Sequence, residues 1–145
     1  MGYIHVIKYS RVFFGFVSAW LCQSLWTYLD TTLAIKLSDD FQLGPDTIAL
    51  IYSAQMAGFL PLSFFVHKII HYFGPSKHHL LTGTVAFGFL LQATGTYMIG
   101  PSYILRSFLP NIIPLIVTGL ILTGLGGAFT AIISYEEMSL GFYTK

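Results

Sequence analysis

The chain carries little charge and almost no cysteine. Only 9% of its 145 residues are Asp, Glu, Lys or Arg, against roughly 25% in an ordinary soluble domain. Cys22 is the single cysteine, so no disulfide forms within the chain and no zinc-type cysteine set exists. The formal net charge is +1, with no run of basic residues, and the electrostatic footprint of a nucleic-acid-binding protein is missing. Neither a phosphate-cradling loop nor a cofactor fingerprint nor a nucleophile spaced from a base can be read in it. The expectation is a protein that is not an enzyme and holds no cofactor. What the chain does have is apolar surface: 54% hydrophobic and 17% aromatic residues, with a mean hydropathy of +0.71. A soluble fold this small leaves a large share of its surface in water and cannot bury that much. The reading is an all-α integral membrane bundle, a single membrane domain over 1–145 with the lipid bilayer as its solvent.

A bilayer core takes about 20 apolar residues as a helix. Four segments meet that need, at about 12–34, 47–70, 80–99 and 112–134, giving about four transmembrane helices. The first is interrupted by Asp30 and is expected to end before Lys36, Asp39 and Asp40. Gly44-Pro45-Asp46 precedes the second as a turn and an acidic helix start. Gly100-Pro101 closes the third and Tyr135-Glu136-Glu137 the fourth. Pro61 and Pro114 fall within spans, which membranes tolerate. Lys8 and Arg11 make a positive start, but the apolar run is long and no A-x-A site follows, so cleavage as a signal peptide is not expected. Gly124-Leu125-Gly126-Gly127 lies mid-span and reads as packing glycine.

Orientation follows from the basic residues of the loops. Lys8, Arg11, Lys68, Lys77 and Lys145 fall on one side, Lys36 and Arg106 on the other. Both termini are therefore expected on the cytosolic side, or on the matrix-like side of an organelle; the composition does not name the membrane.

Helices in lipid associate through close contact of small residues and through polar pairs. In the fourth span Gly119, Thr123, Gly127 and Ala131 recur every fourth residue as one expected packing stripe, with Gly124 and Ala128 beside it. The other spans have comparable faces, so other membrane chains or a second copy of this one are the expected partners. In the first span Gln23, Thr27 and Asp30 share about one helical edge. A carboxylate in a span costs roughly 2.5–3.5 kcal/mol at the centre and usually faces a cavity or a partner. Asp30 falls about 10 Å beyond the midplane by the 1.5 Å rise, so snorkelling to water is the plainer alternative.

Two further groups carry metal-ligating or charged atoms. His67 and His71 stand at i and i+4, with His78-His79 nearby. The glutamate of a metalloprotease H-E-x-x-H helix is missing, and no metal site is expected. Glu136-Glu137 at the end of a helix opposes its dipole and invites a basic partner, for which His67, Lys68 and Lys77 are the candidates.

With the spans in place, the order of features resembles part of one half of a major facilitator superfamily transporter, specifically the seventh to tenth helices of its vesicular amine and polyamine branch. Leu29-Asp30-Thr31-Thr32-Leu33 resembles that branch's Leu-Glu-Pro-Thr-Leu, with Asp30 at the family's carboxylate. Phe64 to Leu81 occupies the place of the G-x-x-x-D-R-x-G-R/K loop; Gly74 and Lys77 keep its glycine and a basic residue, while His71 and Tyr72 replace its aspartate and arginine. Met98 to Ser102 resembles the exit from the ninth helix, and a glycine-rich helix follows.

The resemblance covers about Phe13 to Met138. It implies proton-coupled exchange of small organic cations, with Asp30 titrating or pairing the cation. Gln23, Thr27, Tyr52, Gln55 and Gln92 would line the path, and His71, Gly74 and Lys77 would belong to the gating loop. Such transporters rock one repeat against another, and four helices do not make two repeats. The expectation is thus a component or fragment of a secondary transporter. The alternative is a non-catalytic accessory or structural membrane subunit of a larger complex, for example an organelle or respiratory one.

Overall fold

The computed structural model describes residues 2–73, 78–100 and 110–143. They form helices α1 (Gly2–Phe41), α2 (Pro45–Phe73), α3 (His78–Ile99) and α4 (Ile113–Tyr143), with no strand among the described residues. The all-α bundle expected from composition is what the chain forms. Three helical stretches are long and apolar enough to cross a membrane: Ser10–Phe41, Pro45–Tyr72 and Ile113–Ser139. The third expected span, α3, is not among them. Its Thr82, Thr84, Thr94 and Thr96, its three glycines and Gln92 dilute the hydrophobic residues.

The helix ends follow from local chemistry. α1 does not stop before Lys36; it continues through Asp39 and Asp40 to Phe41, because no proline or glycine after Gly15 interrupts it. The chain turns at Gln42, whose φ of 52° is left-handed, and the Leu43 N–H returns to the Leu37 carbonyl at 3.3 Å. Gly44 then caps α2, its carbonyl accepting the Ile48 N–H at 3.1 Å. Pro45 opens the helix where its missing donor is not needed, and Asp46 faces the positive end of the helix dipole. Pro61 does lie inside α2. Pro114, expected within a span, sits in the first turn of α4, a position that needs no N–H.

The helices run alternately up and down, and α4 is the hub. α1, α2 and α3 all pack on α4 and scarcely touch one another. Apolar clusters close the two ends. Leu29, Leu33 and Leu37 of α1 meet Ile51, Ile99, Ile116 and Leu120 at one end. Val66 and Ile70 of α2 meet Leu81, Val85 and Ile133 at the other.

The small residues of α4 do not form one stripe; they are distributed around it, each admitting a different neighbour. Gly119 and Gly126 receive α3: a Cβ on Gly95 would stand 2.5 Å from the Gly119 carbonyl oxygen, and one on Gly88 would stand 2.8 Å from that of Gly126. Gly124 lies against the backbone of Gln55 on α2, and Gly127 lies under the indole of Trp26 on α1. Thr123 is fully buried and touches the Gly95 position, whereas Ala131 is only half-buried. A helix surrounded by three others needs close approach on every side, so a single four-residue spacing cannot describe it.

The outer surface suits hydrocarbon. Phe13, Phe16, Leu50, Phe64, Phe65 and Leu90 all point outward. Exposed hydroxyls are returned to their own helices: Thr27 donates to the Gln23 carbonyl at 3.0 Å, Thr32 to that of Tyr28 at 2.7 Å and Thr94 to that of Leu90 at 2.8 Å. A threonine bonded in this way presents mainly its methyl group to lipid.

Candidate functional site

α1 and α2 diverge above α4, and the space between them is an open groove of about 410 Å³ lined by Trp26, Asp30, Tyr52, Ser53, Gln55 and Met56. Trp26 and Asp30 are one helical turn apart on α1 and lean to the same side. Tyr52, Gln55 and Met56 come from one turn and a half of α2. The Tyr52 hydroxyl donates to the backbone carbonyl of Asp30 at 2.7 Å, with that of Leu29 at 3.4 Å. This bond ties α2 to α1 beside the acid and leaves the Asp30 carboxylate facing the groove. Gln55 is buried and held in register by the close backbone contact at Gly124. Trp26 is set edge-on to Phe59, with ring centroids 5.3 Å apart and planes at 80°, and its indole N–H is buried with no hydrogen-bond partner among the described residues.

The six expected path residues therefore separate into three places. Asp30, Tyr52 and Gln55 share the groove. Gln23 and Thr27 line a separate, shallow exposed depression of α1 with Trp20, Ser24, Tyr28 and Thr31. For Thr27 the reason is angular, since it lies about 60° further round α1 than Asp30; Gln23 lies within about 20° of Asp30 round the axis and is separated from it by two turns of height.

Gln92 lies inside the bundle, fully buried. Its amide nitrogen donates to Thr130 Oγ1 at 3.1 Å and to Cys22 Sγ at 3.2 Å, and the Thr130 hydroxyl is 3.1 Å from the Gly126 carbonyl. This node joins α1, α3 and α4, and none of its three side chains lines the groove.

Among the expected loop residues, His71 is exposed near the end of α2; Gly74 and Lys77 lie outside the described residues. No group of three His, Cys, Asp or Glu side chains that could hold a metal occurs among the described residues.

Two contacts and one wall of the groove went unread in the sequence. Glu137 is 1% exposed and pairs with Arg11 of α1 at 3.8 Å, a partner not among those expected; the antiparallel course of α1 and α4 brings the two ends together, which no local pattern announces. The Lys36 ammonium donates to the Ile99 carbonyl at 2.7 Å and so fastens α1 to the end of α3. Trp26 was legible, since it stands one turn before Asp30 on the same side of the helix.

No family model, curated protein or solved structure matches the chain.

Proposed function

We propose that the chain is a multi-span membrane component that handles a small organic cation in the α1–α2 groove, as part of a secondary transporter of the major facilitator type. One observation carries the reading: the Asp30 carboxylate faces a groove whose other walls are Trp26, Tyr52 and Met56. A carboxylate supplies the counter-charge, and the aromatic faces add cation–π attraction of about 0.5–2 kcal/mol as water is removed. An ionisable side chain in an apolar bundle is by default a functional one. Tyr52 and Gln55 position the groove, and Asp30 pairs with the cation or with a proton that it exchanges for the cation. The work is binding and transfer, with no covalent step. Gln23, Thr27 and Gln92 are left out of the path, because none of them lines the groove.

A second reading is a non-catalytic subunit of a larger membrane assembly, favoured by the uncharged polar face that α1 turns away from α4. The two readings separate in one experiment. The chain is extracted in mild detergent, the mass and companions of the native particle are determined, and cation uptake is measured in vesicles holding that particle. The transport reading expects a small assembly of one or two kinds of chain whose pH-driven uptake is lost in Asp30→Asn. A large particle of many different subunits, or uptake unchanged by Asp30→Asn, overturns it.

A further inference from the structure

Besides the indole of Trp26, the groove between α1 and α2 is lined by the polar side chains of Asp30, Tyr52, Ser53 and Gln55. Two of these are bonded to backbone. The Tyr52 hydroxyl donates to the Asp30 carbonyl at 2.7 Å and the Ser53 hydroxyl to that of Leu50 at 2.6 Å. The Trp26 indole nitrogen stands 3.2 Å from where a Cβ on Gly127 would be, so it is turned to α4. A carboxylate and an amide are what the groove keeps for a ligand. The amide is the unusual group. Gln55 is 3% exposed and makes no hydrogen bond to any described residue, yet it lines the groove. By the 1.5 Å rise it stands about 5 Å from the midpoint of the stretch Pro45–Tyr72. Lipid at that depth has nothing to bond, and a buried amide without a partner costs about 1–3 kcal/mol.

We propose that Gln55 selects the ligand: a singly charged cation that carries an uncharged amide or hydroxyl, with its ammonium on Asp30 and its neutral group on Gln55, an assignment that rests on the cation reading above. The spacing follows from the helices. Tyr52 reaches the Asp30 carbonyl and so stands level with it, and Gln55 lies three residues further along α2, about 4–5 Å away by the helical rise. A ligand with two or three carbons between its ammonium and its neutral group spans that distance. The charge of the second group follows from what lines the groove. Asp30 is the one charged side chain among the described lining residues. A second ammonium, as in a diamine, would leave water for a site with no second counter-charge. A carboxylate, as in an amino acid, would stand within one turn of Asp30 and be repelled by it. The Gln55 amide is donor and acceptor at once, and an amide or hydroxyl on the ligand answers both of its halves without bringing a charge.

Three amines of similar length test this by equilibrium binding to the native particle in mild detergent: β-alaninamide, with a neutral amide; butylamine, with an apolar end; and putrescine, with a second ammonium. β-Alaninamide is expected to bind about tenfold more tightly than either of the others, the worth of one hydrogen bond to an otherwise unpaired buried group. Gln55→Leu is expected to bring the ratio of β-alaninamide to butylamine affinity to about one. The ratio, unlike either affinity alone, is insensitive to a uniform loss of binding, and the Tm of the variant in detergent shows whether the bundle is intact. Equal affinities of the wild-type chain for β-alaninamide and butylamine overturn the proposal whether or not the variant folds, because water then satisfies Gln55 as well as a ligand does. Tighter binding of putrescine than of β-alaninamide overturns it too, as does a ratio that Gln55→Leu leaves unchanged. Asp30→Asn separates the two levels. If it weakens all three amines while the expected ratio fails, the cation reading stands and the role of Gln55 falls; if it weakens none, or if no amine binds the wild-type chain, both fall.

Discussion

Asp30 is placed by a bond that its own side chain does not make. Tyr52 reaches the backbone carbonyl of Asp30 at 2.7 Å, so the carboxylate keeps its orientation while remaining available to a ligand. Tyr52→Phe removes that tie and is expected to destabilise the protein by about 1 kcal/mol, read as a lower Tm in detergent; on the proposed cation reading, uptake would be weakened through a mobile α2 rather than abolished. Gln42 is strained instead of positioned. Its φ of 52° suits glycine, and a side chain there costs about 1–2 kcal/mol. Gln42→Gly is expected to raise the Tm, and Gln42→Val to lower it. Arg11 and Glu137 show what burial does to a charge pair. Arg11→Leu leaves a carboxylate that is 1% exposed without its guanidinium, a loss of about 3 kcal/mol. Adding Glu137→Gln is expected to recover part of it, a coupling that a double-mutant cycle measures directly.

Among the elements, α3 depends on α4 for close contact. A methyl group at Gly95 would stand 2.5 Å from the Gly119 carbonyl oxygen, whereas one at Gly83 would meet nothing within 4 Å. The two substitutions are on one helix and differ only in what they face. Gly95→Ala is expected to cost about 1–3 kcal/mol by overpacking. Gly83→Ala is expected to be neutral or to stabilise by up to about 1 kcal/mol through helix propensity. Thermal unfolding of the two variants in the same detergent checks this; equal shifts would show that α3 does not lie where it is described. α1 differs in kind from α3. It is 40 residues long, about 60 Å by the helical rise, and its two sides do different work: leucines and Cys22 toward α4, an uncharged polar face outward.

At the scale of the whole molecule, the bundle has a centre rather than a ring. α4 is in contact with each of the other helices, and they are hardly in contact with each other. Protection against exchange follows from this arrangement, because opening the centre requires separating three interfaces at once. Amide hydrogen exchange in detergent is expected to be slowest from Ile116 to Ser134, slower than in α2, although both helices are long and apolar. The open groove with Asp30 exists for the same reason: two helices that share α4 but not each other leave a gap between them.

Much of this was written in the sequence. Low charge and high hydropathy dictate helices in lipid, and the inner boundaries at Gly44-Pro45 and Ile99-Gly100 follow from residues that cannot continue a helix. The small residues of α4 announced close packing, since only they allow backbones to approach in a membrane. The neighbourhood of Asp30 to Trp26 follows from helical spacing alone. What spacing cannot state is which side of a helix its neighbours take. That decision belongs to tertiary packing, where α4 claims one face of α1 and so turns Gln23 and Thr27 outward, encloses Gln92 with Cys22 and Thr130, and brings Arg11 to Glu137 from the opposite end of the chain. A periodic pattern defines faces; only the arrangement of all four helices assigns each face to a neighbour, to lipid or to a groove.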